Sequence, residues 1–242
     1  MFGYVIGIAA TAGITAAGYQ AMSPRGQWYG ATFTGLVPGT KKLALTYDDG
    51  PNDGYTQRLL EVLHQHDVRA TFFLIGRYVQ QSPTIVREVA AAGHVIGNHT
   101  FTHPNLALAS AIQTRFQIEE CRRVLYEVLG DHSNLFRPPF GGRRPGTLRV
   151  VRSLGLEPIM WNVTAFDWKA TSSDQVQRNV NRQIRGGDVV LLHDGSHRGL
   201  GANRAHTIEA TDRLIRRYKA EGYQFVTIPE MMESASARIG AA

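Results

Sequence analysis

A mostly parallel α/β sheet, closed or nearly closed into a barrel, is the fold this sequence predicts. Short apolar runs alternate with helical patterns about seven times along the chain, and such alternation builds a parallel sheet with helices on its faces. The length of 242 residues suits one large domain, since single barrels run to about 250 residues. Reactive residue types follow directly after the apolar runs, where barrels of this kind gather their chemistry.

Composition agrees with a folded chain. Hydrophobic residues make up 43% and charged residues 19%, with 25 Gly and 10 Pro, which excludes collagen, a coiled coil and wholesale disorder. Lys and Arg number 26 against 20 Asp and Glu, a balance of +6. That permits anionic partners without selecting among nucleic acid, acidic glycan or membrane phosphate. No nucleic-acid-binding module is recognisable, so the charge reads as surface and nucleic acid is not an expected partner. Cys121 is the only cysteine, so no intrachain disulfide can form. Between Glu119-Glu120 and Arg122-Arg123 it reads as a small, half-buried helix residue.

Residues 1–24 hold no charged side chain and are long enough to span a bilayer, which takes ~20 residues. Gly3, Gly7, Gly13 and Gly18 dilute the signal, and no Lys or Arg precedes the apolar stretch as a secretory signal requires. Three readings stay open: a membrane anchor, a signal cleaved or retained, and a packed helix, with the first two preferred. Residues 25–40 form an irregular connector rich in Gly and Pro. The body runs over 41–233 and a tail over 234–242. No internal repeat appears.

Within the body, strands are expected at about 42–47, 70–75, 94–98, 134–137, 157–163, 188–193 and 223–227. The first intervening helix turns Leu59, Leu60 and Leu63 inward. The second does so with Val86, Val89 and Ala90, and the third with Ile112, Phe116, Leu125 and Leu129.

The strand ends are where the chemistry falls. Asp48-Asp49 follow the first strand, His99 and His103 the third, Arg137-Pro138-Pro139-Phe140 the fourth, Asp167-Trp168 the fifth, and His193-Asp194 the sixth. Two adjacent carboxylates repel unless a cation intervenes. Two histidines four residues apart can point the same way from one turn. With a carboxylate they make the three-ligand set of a catalytic divalent site that keeps one position open. An isolated pair with this spacing reads as surface or capping histidines; its coincidence with Asp48-Asp49 and His193 at equivalent strand ends turns the reading toward a site.

At these positions the chain resembles the polysaccharide deacetylases of the NodB-homology type, carbohydrate esterase family 4, over about residues 41–230. TYDDGP (46–51), HTFTH (99–103), RPPF (137–140), FDW (166–168) and LLH (191–193) follow the order and approximate spacing of the family's five motifs. The resemblance implies a distorted (β/α)7 barrel, TIM-like. It assigns Asp49, His99 and His103 to a divalent metal, zinc by preference with cobalt or another ion possible, and Asp48 to the general base. Arg137 would hold Asp48 ionised and oriented. The backbone N–H of Phe140 would stabilise the oxyanion, and His193 would protonate the leaving amine. Leu191 and Trp168 would wall the acetyl pocket. The implied reaction removes N-acetyl groups from an N-acetylglucosamine-containing polysaccharide of chitin-oligomer or peptidoglycan type, or O-acetyl groups from xylan. A catalytically silent carbohydrate-binding relative would be expected to lose Asp48 or His193, and this chain keeps both. No GxSxG elbow for a metal-free acyl hydrolase is present.

Amide hydrolysis independently asks for these parts. A nucleophile must be generated at neutral pH, which a divalent ion does by lowering the pKa of water to about 7. A base and an acid on opposite sides each contribute about 10²- to 10⁴-fold.

The chain departs from the family pattern at two positions. Thr164 stands where the family carries an Asp that tunes the acid histidine, so either Asp167 takes over or His193 is left less basic. Phe140 replaces the commoner Tyr. Arg143 and Arg144 read as a solvated helix start, the sharper alternative being contact with a glycan. Trp161 reads as core and Trp168 as facing the site. His64, His66, His94, His132, His197 and His206 read as structural or solvent-facing, and Asn52 and Tyr55 as turn residues that could line a subsite. An envelope location, membrane-anchored or secreted, is expected ahead of a cytoplasmic one, although the basic flank at Arg25, Lys41 and Lys42 argues by the positive-inside bias for the opposite side.

Overall fold

The computed structural model describes residues 15–239. Most of the expected apolar N-terminal segment, residues 1–14, lies outside them. Residues 15–22 form a helix, α1, docked on the body: Arg143 N–H donates to Ala21 O at 2.9 Å and Tyr29 Oη to Ala17 O at 2.9 Å. Among the described residues no helix is long and apolar enough to cross a membrane.

From Lys42 onward the chain alternates as expected. The order is β1 (Lys42–Asp48), α2 (Tyr55–Gln65), β2 (Thr71–Leu74), α3 (Gly76–Gln81), α4 (Pro83–Ala91), β3 (Val95–Asn98), α5 (Ala111–Leu129), β4 (Leu135–Phe136), α6 (Pro145–Ser153), β5 (Glu157–Pro158), β6 (Val163–Thr164), α7 (Ser173–Asn181), β7 (Asp188–His193), α8 (Ala205–Ala220), β8 (Gln224–Phe225) and α9 (Ile228–Ile239). All strands pair in parallel in the order β5-β4-β3-β2-β1-β7-β6, with β8 on the start of β1. The result is a parallel half-barrel with helical cover, consistent with the expected (β/α)7 barrel.

The segment expected as one strand over 157–163 is two short strands at opposite edges of the sheet. Pro158 has no N–H to extend the ladder, and the groups that follow are taken elsewhere. Ile159 O and Met160 O accept from the Arg137 guanidinium at 3.4 and 3.2 Å, and Met160 N–H donates to Phe33 O at 2.8 Å. Residues 159–162 therefore cross from one sheet edge to the other. The connector joins this crossing through bridges from Phe33 to Ile159 and from Gly35 to Asp188, so it is part of the closure rather than a loose tether.

Helix faces follow the 3.6-residue period with one correction. On α2 the buried residues are Thr56, Leu59 and Leu63, and on α4 they are Ile85, Val86 and Val89, with Leu60 and Ala90 half-buried beside them. On α5 the buried stripe is Thr114, Ile118, Cys121, Val124 and Leu125, while Ile112 and Phe116 are 83% and 58% exposed. Spacings of 4, 3 and 4 from Thr114 to Leu125 make one continuous stripe, and residues 112 and 116 fall off it. Ser110 sets where α5 starts by accepting from Gln113 N–H at 3.1 Å. Cys121 is fully rather than half-buried; burial pushes its thiol up to about 12, and it behaves as a small apolar residue.

The central strands β1, β2 and β7 are buried along nearly their whole length. Side chains such as Phe72, Phe73 and Leu192 each contribute about 1.5–3 kcal/mol on leaving water. For the site, the consequence is register. Asp48 stands opposite His193 on β7 and Phe73 on β2, and Asn98 opposite Phe136 on β4. The reactive ends of four strands thus lie at one level.

Candidate active site

A cavity of about 640 Å³ opens at the C-terminal ends of the strands and is lined by Asp48, Asp49, His99, His103, Phe140 and His193, among others. Its floor starts at β1. Asp48 ends the strand, and Asp49 turns out of it with φ 72°, so the two carboxylates face different neighbours. Asp48 Oδ1 accepts from Arg137 Nη1 at 2.7 Å. That guanidinium is 0% exposed, also donates to Thr46 Oγ1 at 2.8 Å, and lies 4.1 Å over the Phe73 ring. Removing either partner would strand a buried charge.

Asp49 meets both histidines, and His99 Nε2 also stands 3.7 Å from Asp48 Oδ2. Asp49 Oδ1 stands 3.1 Å from His103 Nε2 and 3.6 Å from His99 Nε2, and the three donor atoms lie within 4.8 Å of one another with all three residues buried. Nδ1 of His99 faces Arg137 O at 2.8 Å. A carbonyl only accepts, so Nδ1 carries the proton and Nε2 keeps its lone pair toward Asp49. Burial pushes the His103 imidazole down, toward the neutral form that ligates. Burial also works to raise Asp49, but His103, His197 and His99 overcome it and hold the carboxyl well below the usual carboxylate range.

These residues fit a divalent cation. Asp49 Oδ1 is buried and has no hydrogen-bond donor despite its two imidazole neighbours, an arrangement that calls for an ion or another unshown partner. Two ligands about 2.1 Å from a tetrahedral ion stand about 3.4 Å apart, close to the spacings found.

On the opposite wall, His193 ends β7. Its Nδ1 stands 2.9 Å from Asp167 Oδ1, and its own N–H donates to Asp167 Oδ2 at 2.8 Å. Thr207 Oγ1 also donates to Oδ2 at 2.9 Å. Burial pulls His193 down, but Asp167, by charge and hydrogen bond, with smaller help from Asp49 and Asp48, pushes it up to about 9. Thr164 does not meet His193. Thr164 accepts from Trp161 Nε1 at 2.9 Å and makes no hydrogen bond to His193, whereas Asp167 does.

The remaining predicted residues fall as follows. Leu191 and Trp168 line the cavity, with Trp168 edge-on to His193 at 5.0 Å. Phe140 lies at the mouth, 46% exposed, with φ 57°. Trp161 is 7% exposed and belongs to the core, with an edge on the cavity. Among the described residues, five of the six non-glycine positions with positive φ are Asp49, Thr100, His103, Phe140 and Phe166, all in or beside this cavity. Such backbone costs about 1–3 kcal/mol each and persists where surrounding contacts over-determine it.

Three expectations need correction. Arg143 is not solvated: it is 1% exposed and donates to Gly141 O at 2.9 Å and Ser23 O at 2.8 Å. Neither it nor Arg144 lines the cavity. Asn52 lines no subsite but pins the loop after β7, donating to Asp194 O and Ala202 O at 2.9 and 2.8 Å. His197, read as structural or solvent-facing, lies in the cavity wall with its ring stacked on His103. No spacing pattern marks it, since the loop between Asp194 and Arg204 brings it back by its fold alone. Asp194, which follows His193 at the end of β7, is a further buried acid. It accepts from Thr56 Oγ1 at 2.5 Å, and burial pushes it up to about 7.

The sequence profile of the polysaccharide deacetylase family matches residues 36–159. A peptidoglycan-N-acetylglucosamine deacetylase of Bacillus cereus is 35% identical over 223 residues, 88% of this chain and 79% of that protein. The chain belongs to the polysaccharide deacetylase family, carbohydrate esterase family 4. This deacetylase is thereby an enzyme of the class that hydrolyses N-acetyl amides, in a metal-dependent family. The solved structure of the Bc1960 peptidoglycan N-acetylglucosamine deacetylase, in complex with an N-oxidanyl-benzamide compound, matches it with a TM-score of 0.78 at 36% identity, covering 83% of this chain and 91% of that one. BA3943 of Bacillus anthracis, described as a family pseudoenzyme, matches with a TM-score of 0.76 at 31% identity, covering 83% of this chain and 68% of that one. Fold likeness alone therefore does not carry activity in this family. What distinguishes an active member is the set of side chains in its cavity.

Proposed function

We propose that this deacetylase removes N-acetyl groups from an N-acetylglucosamine-containing polysaccharide, of peptidoglycan or chitin-oligomer type. The observation that carries the reading is the buried, unpartnered Asp49 Oδ1 between His99 and His103. It stands beside the Asp48–Arg137 pair and across the cavity from His193–Asp167. Asp49, His99 and His103 would hold the cation, for which zinc suits a donor set of two imidazoles and one carboxylate. When bound, such an ion acidifies water and polarises an acyl oxygen.

The chain's own residues supply the rest. Asp48, held by Arg137, takes a proton from the attacking water. The N–H of Phe140 donates to the oxyanion that develops on the acetyl carbonyl. Asp167 keeps His193 protonated, and His193 gives its proton to the departing amine, so that acetate and a free amino sugar result. Leu191 and Trp168 pack about the acetyl methyl and exclude water from it. A catalytic domain over 41–233, closed as a distorted barrel, and action at the cell envelope complete the reading; the polymer class supports the latter.

Acetate release from chitin oligomers, peptidoglycan and acetylated xylan, each with and without chelator, tests it. Chelator-sensitive release from either N-acetylated polymer is expected. Release from xylan alone would establish the O-acetyl esterase reading, and no release from any would establish the silent one.

A further inference from the structure

The two histidines that face Asp49 are oriented by different means. A metal-ligating histidine almost always donates its other ring N–H to a carboxylate, carbonyl or water, which fixes the ring. His99 does so through Nδ1 to Arg137 O at 2.8 Å. No protein group plays that part for His103: its Nδ1 is buried without a protein acceptor, and its backbone has φ 64°. Yet its Nε2 points at Asp49 Oδ1 from 3.1 Å. Within the protein, something other than a hydrogen bond aims this ring.

Aromatic packing surrounds it. The imidazole of His197 lies flat on that of His103, with centroids 4.7 Å apart and planes 14° from parallel. Phe140 meets both rings edge-on, at 4.6 and 5.1 Å. His197 is itself held by its main chain. Its N–H donates to Asp49 Oδ2 at 3.1 Å, and its carbonyl accepts from Arg77 Nη2 at 2.6 Å. The side-chain Nδ1 stands 3.6 Å from Asp49 Oδ2, too far for a hydrogen bond. The ring contributes a flat surface, while the backbone ties that surface to the second oxygen of Asp49.

We propose that His197 is a positioning residue of the metal centre, whose stacked ring replaces the missing hydrogen bond to His103 and holds Nε2 toward the cation. This rests on the metal-site reading above. It predicts which property of the side chain matters: a flat aromatic face and not a nitrogen. Groups that orient metal ligands are typically worth about 10- to 100-fold in metal affinity, and a stack of this kind should act at the lower end of that range.

The test is zinc affinity of the full chain, measured by competition with a chromophoric chelator after metal removal. Wild type, His197→Ala, His197→Asn and His197→Phe are compared, with circular dichroism confirming that each is folded. The expected result is about tenfold weaker zinc binding in His197→Ala and His197→Asn, with His197→Phe within about threefold of wild type. The visible spectrum of the cobalt-loaded His197→Phe form should match that of wild type, and that of His197→Ala should not. Wild-type affinity in His197→Ala would overturn the proposal. So would His197→Phe as weak as His197→Ala, since the nitrogen and not the stack would then be at work. Failure of the wild-type protein to bind zinc at all would instead remove the metal-site reading on which the proposal stands.

Discussion

Replacing Asp167 with Asn tests the proton-donating half of the proposed chemistry. His193 is pushed from its ordinary 6.5 up to about 9, and Asp167 supplies the largest part of the push against burial. That rise corresponds to roughly 3 kcal/mol favouring the charged imidazole. A cation beside Asp49 would offset the smaller contributions of Asp49 and Asp48 and leave that of Asp167 intact. In Asp167→Asn the burial that remains would return His193 to about 6.5 or below. The group must be protonated to act, so activity is present below its pKa and lost above it. With those smaller contributions offset, the protonated fraction at pH 8 falls by roughly 10- to 30-fold in the variant, whereas at pH 6 protonation alone costs about twofold or less. The assay is kcat for acetate release between pH 5.5 and 10 with metal content held constant. The alkaline limb should move down by about two units in the variant. An unchanged limb with a uniformly lowered kcat would refute the reasoning and leave Asp167 a purely structural residue.

Other perturbations address the scaffold and the base. Asp48→Asn should retain its metal while acetate release falls by about 10²-fold or more, as expected for loss of a general base. Arg137→Met strands Asp48 as a buried, unpaired carboxylate and should lower stability in urea by about 3–5 kcal/mol; an unchanged midpoint would contradict the pairing. Arg143→Met leaves the buried carbonyls of Gly141 and Gly26 without their donor and should lower stability by about 1–3 kcal/mol for each, with faster proteolysis near Ser23 as its local signature. In Gly195→Ala the new Cβ would lie 2.1 Å from the carbonyl oxygen of Asp49. Backbone must move, and thermal unfolding should report a loss of about 1–3 kcal/mol together with weakened metal binding.

Much of this arrangement was legible in the chain because parallel strands carry their reactive residues at one end. Asp48, Asp49, His99, His103, Arg137 and His193 each follow an apolar run, and the register that pairs Asp48 with His193 brings them to one level. The split of 157–163 was not legible. Apart from Glu157 and Asn162 its residues are apolar, and only the competition of Arg137 and Phe33 for its backbone groups separates β5 from β6. The α5 face was misjudged because Ile112 and Phe116 are large and apolar, whereas the buried stripe there starts with Thr114 and includes Cys121. Arg143 and His197 were missed for a common reason. Each acts through contacts made by chain returning from far away, residues 21–26 in one case and the loop after β7 in the other, and no local spacing announces such a return.

The most direct measurement is the number of metal equivalents retained by purified Asp49→Ala beside wild type and Asp48→Asn, read by elemental analysis after dialysis. The account predicts about one equivalent in wild type and in Asp48→Asn and almost none in Asp49→Ala. Full occupancy in Asp49→Ala would contradict it, because the carboxylate oxygen set between His99 and His103 would then hold no ion.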